Sequence, residues 1–145
     1  MSEKERLDFF ENTLWVLSQE VEKMWKKIFA TTFPGSQSRM MYFLLKNGPQ
    51  SMTKIAAQIG ITKGAVSIAA NHLIENGYVK RIYSKSDRRI IELEITTLGK
   101  KTLASLQKIG NKQLQASFQH VSDTEIKQIE IKFQEAIQAL AEANE

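Results

Sequence analysis

Three side chains in the middle of the chain have the types and the spacing to address the edge of a nucleic-acid base. Lys63, Ser67 and Asn71 stand at i, i+4 and i+8, one line along a helix. Asn pairs with an adenine edge, Lys with guanine, and Ser accepts several partners; a good base contact discriminates by about 1–3 kcal/mol. Gly64, Ile68 and His72 share that polar side, and Thr62 stands at its start. Gly64, near the N-terminus of the helix, leaves free backbone N–H groups open to a phosphate. Ile68 cannot donate a hydrogen bond; it either touches a thymine methyl or packs at the surface. The solvated face of any amphipathic helix is the competing reading.

A second cluster is the run Ser84-Lys85-Ser86-Asp87-Arg88-Arg89. Lys85, Arg88 and Arg89 can reach a phosphate backbone and a minor groove, where narrow A·T tracts attract Arg. Asp87 should repel phosphates, so it reads either as the partner that aims one of these arginines or as a plain turn residue. Lys54, Lys80 and Arg81 read as phosphate contacts, with Ser51 and Thr53 as neutral ones.

Charge is distributed accordingly. The 145 residues carry a formal net charge of +4. By segment the net is −1 over 1–30, +2 over 31–49, +5 over 50–91 and −2 over 92–145. The basic excess therefore sits where the candidate donors sit, as expected when one module meets a polyanion. The chain has no cysteine, which removes disulfides, thiolate metal sites and thiol redox sensing. Only His72 and His120 could supply imidazole, and no close His/carboxylate cluster accompanies them, so neither a metal nor another cofactor is expected. No P-loop, G-x-S-x-G or H-E-x-x-H pattern occurs and neither histidine has an evident partner, so an enzyme is not expected. No apolar run approaches the roughly 20 residues of a membrane span, and the charged start of the chain lacks a leader pattern; a cytoplasmic location is the expectation.

The elements that must position these residues are mostly helices. Phe10, Leu14, Leu17, Val21, Met24 and Ile28 recur at helical spacing and predict a first helix over 5–30. It packs on the rest of the domain or is shared with a second subunit; both readings stand. Pro34-Gly35-Ser36 breaks it, with Ser36 as candidate cap of a second helix ended by Asn47-Gly48-Pro49. A short helix over 53–59 with Thr53 as N-cap, a turn at Gly60, and a longer helix capped by Thr62 and ending near Asn76 form a helix-turn-helix pattern. After Gly77 the period changes to two: Tyr78–Tyr83 and Ile91–Ile95 predict strands around the basic loop. Thr96 or Thr97 starts a helix to about His120. Ser122 to Glu125 is a capping box, with Val121 and Ile126 as its hydrophobic staple, and opens the last helix.

This order resembles the multiple-antibiotic-resistance regulator (MarR) family of winged-helix transcription factors, over nearly the whole chain. The resemblance is carried by MTKIAAQIGITKGAVSIAANHLIENGYVKR, by SDRR in the wing, by ITTLGKK, and by the two helices that follow. The most specific combination is Asp87-x-Arg89 followed by Thr96-x-x-Gly99. Many relatives carry Arg or another polar residue where Ile68 stands, so modest direct discrimination and a larger share for DNA shape are expected here.

The resemblance implies a mainly α fold with a small β-hairpin wing: a winged helix-turn-helix lobe over 36–95, and dimerisation helices over 5–30 and 97–145 of a single chain. It implies that Asp87 fixes a wing arginine. It implies a homodimer on double-stranded DNA at a pseudo-palindromic operator, usually as a repressor, and often released by a small aromatic or anionic effector held between the first, second and fifth helices. Trp15, Trp25, Phe29, Met40 and Phe43 are compatible with such a crevice, although such residues at helical spacing are more often core, and no ligand residue is assigned. A winged-helix adaptor that binds protein instead of DNA is the alternative; the basic wing argues against it.

Overall fold

A computed structural model describes all residues from Met1 to Glu145. The chain forms two compact units, Met1–Gly110 and Asn111–Glu145. In the first unit α1 (Glu3–Phe29) starts two residues before the predicted boundary. The reason is a second capping box: Ser2 Oγ accepts from the Glu5 N–H at 3.2 Å, and Glu5 returns a carboxylate oxygen to the Ser2 N–H at 2.6 Å. Hydrogen bonds from the Ser2 backbone N–H and then its side chain hold the Glu5 carboxyl below the usual range.

The second helix, α2, spans Gln37–Asn47, but Ser36 does not cap it. Ser36 already has a helical backbone (φ −72°, ψ −11°), whereas a capping residue is extended; the Pro34 carbonyl takes the Gln37 N–H instead. Gly48 ends the helix at φ +74°, its N–H bonded to the Leu44 carbonyl. The two-residue strand β1 (Gln50–Ser51) leads into α3 (Met52–Ile59). Here Ser51, not Thr53, is the N-cap, because the Ser51 hydroxyl accepts from the Lys54 N–H at 3.2 Å and Thr53 lies inside the first turn. Gly60 turns the chain in the left-handed region, and Thr62 caps α4 (Lys63–Glu75) through the Ala65 N–H at 3.0 Å.

β2 (Val79–Tyr83) and β3 (Ile91–Ile95) make the hairpin, paired Val79 to Ile95, Arg81 to Leu93 and Tyr83 to Ile91. β1 adds to the other edge of β3, giving an antiparallel sheet of order β1-β3-β2. One core joins the pieces. Phe33, Met40, Met41 and Leu44 meet Ile55, Val66, Leu73, Val79, Leu93 and Leu103 in it. The small Ala69 and Ala70 are also buried, which lets α4 come close to its neighbours.

Thr96 decides where α5 (Thr97–Ser117) begins. Its hydroxyl donates to the Gly77 carbonyl at 2.6 Å and accepts from the Gly99 N–H at 3.0 Å, and its own N–H bonds the Tyr78 carbonyl. That clamp brings α5 against the base of the hairpin so closely that only glycine fits at position 99. A Cβ there would press on the Tyr78 carbonyl oxygen, with Ile95 Cγ1 at 2.9 Å and Met41 Cε at 3.0 Å. Further along, Gly110 faces the indole of Trp25 with no room for a side chain.

The second unit holds the last residues of α5, a turn, and α6 (Asp123–Ala143). α5 ends at Ser117, three residues before the predicted His120. Ser122 and Glu125 form the expected capping box, with bonds of 3.2 and 2.9 Å. The stripe Ile126, Ile129, Phe133, Ile137 and Leu140 of α6 is exposed. No helix in either unit is long and apolar enough to cross a membrane.

Candidate nucleic-acid interface

The buried side of α4 is Val66, Ala69, Ala70 and Leu73. At 100° per residue the opposite side is the row Gly64, Ile68, Asn71 and Glu75, all exposed. Lys63 and Ser67 run along one flank of that row, and Ser67 is half-buried. The outward centre of the helix is therefore not the Lys63-Ser67-Asn71 line read from spacing. It is a row with an aliphatic side chain in the middle, and Ile68 is 75% exposed.

Asn71 is tied to the hairpin. Arg81 Nη2 donates to Asn71 Oδ1 at 2.8 Å. Arginine has no acceptor, so the contact fixes which amide atom faces it. A bidentate pair with adenine needs both the oxygen and the nitrogen of Asn71. The bond takes one of the two lone pairs of Oδ1 and fixes the orientation of the amide, while Nδ2 has no partner within the chain.

His72 has a partner, contrary to the expectation from sequence. Its Nδ1 lies 2.9 Å from Oε1 of Gln37, a buried residue at the start of α2. The contact anchors the ring to α2. Arg39 makes a second tie from α2, donating to the Ile59 carbonyl at 3.0 Å just before the turn of the helix pair. Nothing in the sequence singles out Gln37 or Arg39, and the separations of 35 and 20 residues carry no local signal.

On β2, alternation places Arg81 on the side of Val79 and α4, and Lys80 on the other. Lys80 pairs there with Glu94 across the sheet at 3.2 Å. Arg81 and Lys80, grouped together by composition, thus serve opposite faces. Tyr83 continues the Arg81 side towards the tip and is well exposed.

The tip is built around Asp87. Its Oδ1 accepts from the Arg89 backbone N–H at 3.0 Å and from Arg89 Nε at 3.1 Å, while Oδ2 accepts from Nη2 at 3.0 Å. This two-pronged grip lowers the Asp87 carboxyl below the ordinary carboxylate range, chiefly through the Arg89 side chain and then its backbone, and raises the Arg89 guanidinium. The arginine that Asp87 holds is Arg89, not Arg88. Beneath the tip, Ser84 is buried, its hydroxyl 3.0 Å from that of Ser86. Lys54, Lys63, Lys85 and Arg88 are exposed and enter no ion pair. Ser51 and Thr62 spend their hydroxyl acceptors on caps, and Thr53 lies exposed in the first turn of α3.

Gly64 differs from Gly99. A Cβ at position 64 would meet nothing nearer than Thr62 Oγ1 at 3.9 Å. Nothing inside the fold requires glycine there.

Of the five residues compatible with an effector crevice, Trp15 is exposed. Met40 is buried in the core. Trp25 stacks on Phe29 at 5.7 Å, Phe29 lies 6.4 Å from Phe33, and Phe33 meets Tyr78 edge-on at 5.0 Å, a ladder of aromatic rings. An open cavity of about 580 Å³ lies between the end of α2, the base of the hairpin and the start of α5, lined by Leu44, Pro49, Lys80, Glu94, Thr97 and Lys100 among others. No group of three or more His, Cys, Asp or Glu side chains is placed to hold a metal ion.

A helix pair packed with a three-stranded antiparallel sheet whose β2-β3 hairpin carries an arginine-bearing tip defines a winged helix-turn-helix protein. The model of the MarR family matches residues 31–90, which span α2 through the tip of the hairpin. Among similar proteins, the Bacillus subtilis HTH-type transcriptional regulator YpoP is 28% identical over 87 residues, 60% of this chain and 62% of YpoP. The chain thus spans somewhat under two thirds of that relative's length. A MarR family protein from Bacillus stearothermophilus shares the fold, with a TM-score of 0.86, 13% identity, and 97% of this chain and 99% of that one covered. A Staphylococcus aureus MepR variant bound to an oligodeoxyribonucleotide gives a TM-score of 0.66 at 17% identity, covering 90% and 97%.

Proposed function

We propose that this protein is a transcriptional regulator that binds double-stranded DNA as a homodimer, with α4 in the major groove and the hairpin tip on the adjoining backbone and minor groove. The observation that carries the reading is the set of exposed cations on the helix pair and the hairpin, Lys54 on α3, Lys63 on α4, Arg81 bonded to Asn71 of α4, and Arg88 and Arg89 at the tip. Four of these cations have no carboxylate partner, and the fifth, Arg89, is aimed by Asp87. Such cations are available to displace counterions from phosphates. The oligonucleotide bound to MepR supports the same assignment by analogy of fold.

The dimer belongs to this proposal. A monomer holds one half-site, and two-fold symmetry sets two recognition helices about 34–36 Å apart in successive major grooves. Leu7, Phe10, Leu14 and Trp15 on α1, and the stripe on α6, remain exposed in one chain and supply apolar surface for pairing. Repression of a pseudo-palindromic operator and release by a small aromatic or anionic effector complete the reading.

The test is a footprint on DNA from around the protein's own gene, with sedimentation of the same sample. Protection of a roughly palindromic tract by a dimer supports the proposal. A stable monomer at micromolar concentration, or no protected tract, contradicts it.

A further inference from the structure

The outward row of α4 contains an oddity that DNA binding in general does not explain. Ile68 is 75% exposed, more than any other large apolar residue except Met1, and it sits at the centre of the face. It belongs neither to the core nor to the residues packed against it, so burial does not justify a β-branched side chain in a helix here. One turn earlier Gly64 leaves open space beside it. Three residues later Asn71, on the same face, has its amide oriented by Arg81 and its Nδ2 donor free.

Resting on the DNA-binding reading above, we propose that Ile68 and Asn71 together read one thymine in each half-site. Thymine is the base whose major-groove edge places a methyl group beside a hydrogen-bond acceptor, O4. The aliphatic side chain covers the methyl, and the Asn71 amide donates to O4. Arg81 is the positioning residue: by bonding Oδ1 it fixes the orientation of the Asn71 amide and so presents the Nδ2 donor. Cytosine in that place offers neither group, having an amino donor and no methyl. Adenine offers no methyl, and guanine neither a methyl nor a use for Ile68.

The test uses the full chain and a site selected from random duplex DNA. Each thymine of the selected site is replaced in turn by uracil, which lacks only the methyl, and binding is followed by fluorescence anisotropy. The expected result is one symmetric pair of positions at which uracil weakens binding, by about fourfold per thymine, the cost of one buried methyl. Ile68→Ala, at an exposed position that leaves the core untouched, abolishes the uracil effect there. Replacing the same thymine with 5-methylcytosine keeps the methyl but turns the acceptor into a donor; it weakens binding to the native protein and not to Asn71→Ala. Salt-sensitive binding with no uracil-sensitive position, or a uracil effect undiminished in Ile68→Ala, overturns the thymine assignment and leaves the DNA-binding reading intact. Absence of any selected site overturns both. A protein partner captured through Ile68, with no effect of the base substitutions, also overturns the assignment.

Discussion

Arg81 on β2 donates to Asn71 Oδ1 on α4 across 2.8 Å, so a side-chain amide of the exposed row of α4 is joined to the hairpin. If this bond presents Asn71 to DNA, the two residues act as a unit. Arg81→Ala and Asn71→Ala should each weaken DNA binding, and the double variant should lose about three- to tenfold less than the product of the two losses. Strictly multiplicative losses in equilibrium titrations would show that the bond has no part in binding.

Gly64 separates what the fold needs from what a ligand needs. A Cβ at this position meets open space, and alanine favours a helix over glycine by up to about 1 kcal/mol. Gly64→Ala should therefore raise the thermal midpoint while lowering DNA affinity several-fold, because the methyl stands where backbone would approach a phosphate. Unchanged affinity in the stabilised variant would remove Gly64 from the interface.

Gly99 should behave in the opposite way. The same helix-propensity argument predicts a gain, yet the new methyl would press on the Tyr78 carbonyl oxygen and on Ile95 and Met41. Overpacking of this kind costs about 1–3 kcal/mol, and backbone cannot swing aside as a side-chain tip can. Urea unfolding of Gly99→Ala should show reduced stability; a gain would refute the close approach of α5 to the hairpin.

The tip can be followed by pH. Asp87 is held below its ordinary carboxylate range by Arg89, so the pairing is complete above the ordinary value and disappears as pH falls through the lowered one. In an NMR titration the Asp87 carboxyl should protonate at lower pH than an ordinary aspartate, near 3.9, and Arg89→Ala should return it to that range. The same variant should bind DNA at least tenfold more weakly at physiological salt. An unshifted Asp87 in the native chain would mean the fork does not persist in solution.

The elements readable in the sequence are those with a periodic stripe and a stop residue: the helix pair around Gly60, the strands after Gly77, and the capping box at Ser122. The same box at Ser2 escapes a sequence reading because the apolar stripe becomes regular only near Phe10, eight residues later. Ser36 and Thr53 are plausible caps by type. Backbone conformation at Ser36, and the proximity of Ser51 to the Lys54 N–H, decide against them. β1 has two residues and no period to detect; it exists because β3 offers it an edge. The basic face is visible in the charge of 50–91. Its internal wiring is not, since Arg81 to Asn71, His72 to Gln37 and Lys80 to Glu94 are contacts across the fold. Ile68 is legible as a residue without a hydrogen bond to give, and only the fold shows it to be the centre of the outward row.

The central claim is that the basic face of the winged lobe meets phosphates. Titration of the protein with a duplex carrying its selected site, from low to physiological salt and above, tests it most directly. With Lys54, Lys63, Arg81, Arg88 and Arg89 all on DNA in both subunits, log affinity should fall linearly and steeply with log salt. Removing one of these cations should make the slope shallower by about one for each phosphate no longer neutralised. An affinity indifferent to salt, or a slope unchanged in Arg88→Ala, Arg89→Ala and Lys63→Ala alike, would contradict the account.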